Sequence, residues 1–444
     1  MSDDERTRLL STPASSEPQI EYLNQQPPDQ VEQQEEKFKD LIPHLRPLFT
    51  ACFMSLVVGM NDGAIGVLIP QFKKYYGISN QTLSFLFLSN VTGYIICAPF
   101  NGVLVNSRLG QKGTLYMAGG LVLLAYLLIM NGFDFRLTCL LMVVQGSGIA
   151  LLDAGMNVLT AHLPFATLML NVVHAIYGVG AMLSPVVGTS LLQHQLSWKW
   201  LYGIMSCVSL LNLLVITVGL RQTGSESPAA STLIDDDTVS DDDSLSATFE
   251  QTQIDKSTKE MINEAILNRT TLLCTVYILI YVGLEVTLGG WGYTYLVEGK
   301  HGDPISMGKV LSMYWGALAI GRIILGYISG RYGEKRSVTI FTLLTLIGIC
   351  CIWKVDDLRV DATVFVLIGA LLGPMFPTAI SLTSKTLPKE LYPTSIGFIA
   401  GVGASGAAFL PFLTGQIAGH YGMLCLPIVC LVMGAVMQIA WLFI

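Results

Sequence analysis

The chain has 444 residues, of which 52% are hydrophobic and only 13% charged, about half the charged share of an ordinary globular protein. Residues 1–40 and 221–269 hold 21 of the 32 acids but 8 of the 25 bases, so they carry −13 while the rest carries +6. With a mean hydropathy of +0.56 the composition excludes a nucleic-acid binder and a secreted disulfide scaffold, and points to a polytopic protein of the lipid bilayer.

Residues 1–42 are rich in Gln, Glu and Pro and lack the apolar run of a signal peptide. They read as a disordered cytosolic tail. Within it, Asp4-Glu5-Arg-Thr-Arg-Leu9-Leu10 fits an acidic dileucine pattern, with Glu5, Leu9 and Leu10 as the residues a sorting adaptor would read. That pattern predicts a vacuolar or endolysosomal membrane rather than the plasma membrane.

A span needs about 20 apolar residues, and twelve such runs follow. Six lie in an N-terminal bundle over 43–220, at 47–69, 83–106, 113–130, 138–161, 167–192 and 200–220. An acidic cytosolic linker occupies 221–269, with Ser240-Asp-Asp-Asp243 as a candidate phosphorylation site or plain solvated charge, and an amphipathic stretch over 255–268. Six more runs form a C-terminal bundle over 270–444, at 270–297, 307–329, 337–353, 362–384, 393–418 and 422–444. With both termini and the linker cytosolic, Lys and Arg divide 16 to 8 in favour of the cytosolic side. Asn80-Gln-Thr82 is a glycosylation sequon on the opposite side. The nine cysteines fall in apolar stretches and read as small packing residues.

The two halves repeat each other. Gly178-Val-Gly-Ala181 before Pro185 matches Gly401-Val-Gly-Ala404 before Pro411. Gly102-Val-Leu-Val-Asn-Ser-Arg108-Leu-Gly-Gln-Lys112 matches Gly326-Tyr-Ile-Ser-Gly-Arg331-Tyr-Gly-Glu-Lys335-Arg336. The last pair resembles the loop motif of the major facilitator superfamily, although Asn106 stands where that family has Asp and one residue is inserted. The resemblance implies an all-α membrane protein of twelve transmembrane helices in two six-helix bundles. It also gives Arg108, Arg331 and Lys335 gating or structural roles. The glycine runs need no ligand, since close helix packing accounts for them.

Ionisable groups inside the spans are costly unless they face a wet cavity or a partner. They are Asp62, Asp153, His174, Glu285 and Arg322, accompanied by Asn61, Asn157 and Asn171. Asp153 and Asn157 share a helix face, as do Asn171 and His174. A carboxylate, amide and imidazole cluster suits a polyhydroxylated solute or a travelling cation. Arg322 is equally suited to snorkelling or to locking a helix end, and the asparagines to interhelical glue.

Asn61-Asp62 with Leu68-Ile-Pro-Gln-Phe72, Leu152-Asp153 with Asn157, and Leu170-Asn171 with His174 and Tyr177 resemble the fucose–proton symporter branch of that superfamily. Tyr281-Val-Gly-Leu-Glu285 and Gly289-Gly-Trp291 with Thr294-Tyr295 resemble the related sodium-dependent glucose transporters and fungal permeases. The resemblance implies proton coupling at Asp62 and Asp153; Asp153 stands where the bacterial symporter has Glu. Asn61, Asn157, Asn171, His174, Glu285 and Trp291 are the expected solute contacts, and Arg322 a gating or structural residue. The sequence therefore predicts a secondary transporter, not an enzyme, moving a small polar solute such as a monosaccharide by proton symport. Its coupling ion is the proton, with no other cofactor. A sodium-coupled or uniport carrier is the rival within the class, and a non-transporting nutrient receptor the rival outside it.

Overall fold

The computed structural model describes residues 38–97, 100–221, 263–388 and 391–444. The dileucine pattern, Ser240–Asp243 and most of the 255–268 stretch lie outside the described residues. Pro43–Ile444 form one compact unit.

Among the described residues the chain is helical throughout, as a bilayer demands when no water is present to satisfy backbone groups. The first half comprises α1 (Leu45–Tyr76), α2 (Asn80–Cys97), α3 (Asn101–Asn106), α4 (Gly110–Ile129), α5 (Phe135–Ala161), α6 (Ala166–Gln193) and α7 (Lys199–Gly219). The second comprises α8 (Arg269–Thr294), α9 (Pro304–Tyr332), α10 (Glu334–Lys354), α11 (Leu358–Leu372), α12 (Met375–Thr386), α13 (Tyr392–Ala404), α14 (Gly406–Tyr421) and α15 (Leu426–Phe443). Eleven helical segments among the described residues are long and apolar enough to cross a membrane. The twelfth span is α2, whose Asn80, Gln81, Thr82, Ser84, Ser89, Asn90 and Thr92 make it too polar for that criterion.

Helix ends sit where short polar residues cap them. Asp134 accepts from the Arg136 and Leu137 amides, Asp303 from Ser306, and Asp357 from Arg359 and Val360. Gly77, with φ of 64°, closes α1 in a conformation that a side chain would oppose. Three expected spans are interrupted. The run 83–106 divides into α2 and α3, 362–384 divides at Gly373-Pro374, and 393–418 divides at Ser405. Asn80, expected as part of a glycosylation sequon, is buried at the start of α2 and so unavailable.

Packing repeats between the halves. α1 packs on α6 as α8 packs on α13 and α14; α2 on α5 as α9 on α11; α4 on α7 as α10 on α15. Across the halves, α6 lies along α9 and α2 along α14. This is the twelve-helix, two-bundle arrangement. Small residues set the approach. Ser55 and Ser184 donate to the carbonyls of Val173 and Met60, riveting α1 to α6, and a Cβ at Gly59 or Gly63 would overlap the backbone of Tyr177 or Ala181.

Candidate functional site

Between the halves lies a cavity of about 610 Å³, lined by α1, α2, α5, α6 and α7 on one side and by α8, α9, α12, α13 and α14 on the other. It extends toward the face that bears the His162–Phe165 connection, past Asn157, Leu170, Ile396 and Ala400. At the opposite face the halves meet. There Lys73 pairs with Glu298 at 2.6 Å, Gln416 donates to Gln81 O and Ser84 Oγ at 3.0 and 2.9 Å, and Phe87 packs on Trp291.

The wall from the first half is a hydrogen-bonded network. Asn61 Nδ2 donates to Asp62 Oδ1 at 2.9 Å, and Tyr177 donates to Asp62 Oδ2 at 2.7 Å. Asn61 Oδ1 accepts from Tyr126 at 3.0 Å and also from Gln145 Nε2. One turn or more away, Tyr94 donates to Asp153 Oδ2 at 2.7 Å, and Asn157 donates to the Asp153 carbonyl at 2.9 Å. No basic side chain forms an ion pair with Asp62 or Asp153 among the described residues; their partners are neutral donors. That is an environment in which gaining or losing a proton changes the local charge outright.

The second half contributes Glu285 and Arg322. Arg322 Nη2 stands 4.0 Å from Glu285 Oε1, and its Nε donates to the Gly373 carbonyl at 3.2 Å. Tyr314 fixes the backbone at Glu285 by donating to its carbonyl. His174 enters from α6.

The structure thus brings Asn61, Asp62, Asp153, Asn157, His174, Glu285 and Arg322 to one cavity. Other expected site residues lie elsewhere. Asn171 is exposed and is not part of the lining. Trp291, expected as a solute contact, is fully buried behind the wall, with its indole N–H donating to Pro411 O at 2.9 Å. Arg108, Arg331 and Lys335 are exposed at the connections. In the second loop motif the paired residue is Glu334, which accepts from Lys385 and Ser381 at 2.7 and 2.6 Å. Sequence reasoning missed Tyr94, Tyr126 and Gln145. Gln145 was visible in principle, because 145, 149, 153 and 157 recur every four residues on one face of α5 and all line the cavity.

The sequence and fold agree with known proteins. Bypass of stop codon protein 6 of Saccharomyces cerevisiae is 27% identical over 419 residues, covering 90% of this chain and 82% of that protein. The protein TsgA homolog of Buchnera aphidicola is 19% identical over 364 residues, covering 81% and 84%. Among solved structures, the D-xylose-proton symporter superposes with a TM-score of 0.73 at 13% identity, covering 90% of this chain and 98% of that one. A bacterial homolog of the human lysosomal transporter Spinster, inward-facing and unoccupied, superposes at 0.67 with 10% identity, covering 89% and 96%. The model of the Major Facilitator Superfamily matches residues 51–411. The chain is a secondary transporter rather than an enzyme, and it belongs to the Major Facilitator Superfamily.

Proposed function

We propose that the chain moves a monosaccharide or similar polyhydroxylated solute together with protons, by alternating access of the central cavity. The observation that carries this reading is the pair of cavity carboxylates, Asp62 and Asp153, held by hydroxyl and amide donors instead of cations. Isolated charge in such a place costs several kcal/mol, so a cycle in which each takes up a proton on one side and loses it on the other is the economical use of them. Asn61, Asn157, His174 and Glu285 line the same space and supply donors and acceptors for hydroxyls. A D-xylose-proton symporter and a nucleoside transporter share the fold, which supports a polar solute in a cavity of this kind. Asn171, Trp291, Arg108, Arg331 and Lys335 are assigned supporting roles in helix packing and in the moving connections.

Both termini and the 221–269 linker are placed in the cytosol by the Lys and Arg bias, and the cavity then faces the cytosol. A vacuolar or endolysosomal membrane follows from Glu5, Leu9 and Leu10. Changing Leu9 and Leu10 to Ala should move a fluorescent fusion to the cell surface, and an unchanged location would remove that assignment. The transport reading is tested by uptake of labelled D-xylose, D-glucose and L-fucose into proteoliposomes under imposed proton or sodium gradients. Accumulation driven by the pH gradient is expected. Accumulation driven only by sodium would replace the coupling ion, and binding without flux would favour a receptor.

A further inference from the structure

The cavity holds more negative charge than its own wall balances. Of the ionisable side chains that line it, Glu285 is offset by Arg322, whose Nη2 lies 4.0 Å from Oε1. An imidazole such as that of His174 is ordinarily mostly neutral at neutral pH. Asp62 and Asp153 have only neutral donors, Asn61, Tyr177 and Tyr94, and no basic partner among the described residues. Two protons would balance this pair. So would one proton and one positive charge carried by the solute.

The two carboxylates differ in how they can be neutralised. Asp153 has one donor, the Tyr94 hydroxyl on Oδ2 at 2.7 Å, and Oδ1 has none among the described residues. A proton can sit on that free oxygen and disturb nothing. Asp62 has a donor on each oxygen, Asn61 Nδ2 at 2.9 Å and Tyr177 at 2.7 Å. A protonated oxygen is a weak acceptor, so a proton at Asp62 costs one of these bonds. The Asn61 amide cannot reverse to compensate, because its Oδ1 already accepts from Tyr126 and Gln145. A carboxylate has about four acceptor sites, and an ammonium can take the free ones while both existing bonds stay charge-assisted. The same network leaves another acceptor over: Gln145 lines the cavity at 4% exposure, and its Oε1 has no donor. The wall around Asp62 thus lacks donors, and an ammonium only donates. We infer that the solute carries an ammonium group, which neutralises Asp62 in the loaded cavity while the coupling proton stays on Asp153. The substrate class is then an amino sugar or a similar polyhydroxylated amine. This rests on the transport reading above and puts the solute's own charge where that reading has a second proton.

The test is equilibrium binding to the purified full chain at neutral pH, read by tryptophan fluorescence. The probes are D-glucose and its derivatives with an amine in place of the hydroxyl at C2, C3 or C6, a change that adds a charge and almost no volume. In the wild type, at least one amino derivative should bind about tenfold more tightly than D-glucose, the worth of one charge-assisted hydrogen bond. In Asp62→Asn that ratio should approach one, whereas Asp153→Asn should keep most of the preference. Amino derivatives that bind no tighter than D-glucose would overturn the inference and leave a neutral solute. That comparison is made in the wild type, so it holds even if Asp62→Asn fails to fold. A preference that survives in Asp62→Asn, or is lost in Asp153→Asn alone, would equally overturn the assignment of the ammonium to Asp62. If the wild type binds neither D-glucose nor any amino derivative, the monosaccharide reading itself falls, and the inference with it.

Discussion

Lys73 Nζ lies 2.6 Å from Glu298 Oε2, tying the end of α1 to the π-helical turn Tyr295–Gly299 that follows α8. The two residues are 225 positions apart and belong to opposite halves, on the face where the cavity is closed. Both side chains are about one-third exposed, so the pair is worth at most about 1 kcal/mol. That is enough to shift an opening equilibrium by roughly fivefold. In a background with the nine native cysteines replaced, Lys73→Ala should raise the labelling rate of Ser84→Cys by an impermeant maleimide two- to fivefold. The charge swap Lys73→Glu with Glu298→Lys should return it. A labelling rate indifferent to Lys73 would show that the latch lies elsewhere.

The repeated glycine motif is not used equally. A Cβ at Gly178 would lie 2.5 Å from that of Ala319 on α9, whereas one at Gly401 meets nothing within 4 Å. Gly178→Ala should therefore cost about 1–3 kcal/mol through overpacking, seen as a lowered melting temperature in detergent. Gly401→Ala should leave it unchanged. Identical losses would mean that the halves are in closer register at α13 than described.

Those two glycines illustrate what the amino-acid sequence carries. The motif Gly-Val-Gly-Ala marks both sites as close-packing candidates, but which neighbour approaches is settled by helices far away in the chain. Span number, the six-and-six division and the intramembrane acids were legible because lipid imposes composition directly. The breaks at Gly373-Pro374 and Ser405 were not, since an apolar run hides where a helix turns aside. Asp62 and Asp153 were recognisable as isolated carboxylates; Tyr94 and Tyr126, which donate to Asp153 and to Asn61, were not. A tyrosine in a span has no pattern of its own, and its partner appears only when α2 and α4 are set against α5 and α1. Trp291 shows the converse. Its motif suggested a ligand contact, but packing placed its polar edge on a helix carbonyl.

Removing that edge separates the two roles of Trp291. Trp291→Phe keeps an aromatic ring beside Phe87 but removes the indole donor to the Pro411 carbonyl, which stays in the backbone ladder of α14. Losing a hydrogen bond whose acceptor keeps a second donor costs about 0.5–1.5 kcal/mol. Thermal stability should fall accordingly while the affinity for a bound sugar stays within about twofold. Loss of affinity at unchanged stability would restore Trp291 to the binding surface.

Asp153 and Asp62 should part company when neutralised. Asp153 Oδ2 has one hydroxyl donor, Tyr94, and stands apart from the Asn61 network. Asp153→Asn mimics its proton-loaded form permanently. Uphill uptake driven by a pH gradient should vanish, because no proton is released to complete the cycle. Exchange of labelled for unlabelled solute at equal pH should survive, since it requires only rocking of the loaded state. Asp62 is bound on both oxygens, by Asn61 and Tyr177, within reach of the Tyr126 and Gln145 contacts. Asp62→Asn puts an amide donor against either the Tyr177 hydroxyl or the Asn61 amide, so the network must rearrange. Both accumulation and affinity are expected to fall, the latter by about tenfold, equivalent to one disrupted charged hydrogen bond. Full proton-driven accumulation in Asp153→Asn would remove Asp153 from the coupling path. Loss of exchange in that variant would make it a solute ligand instead.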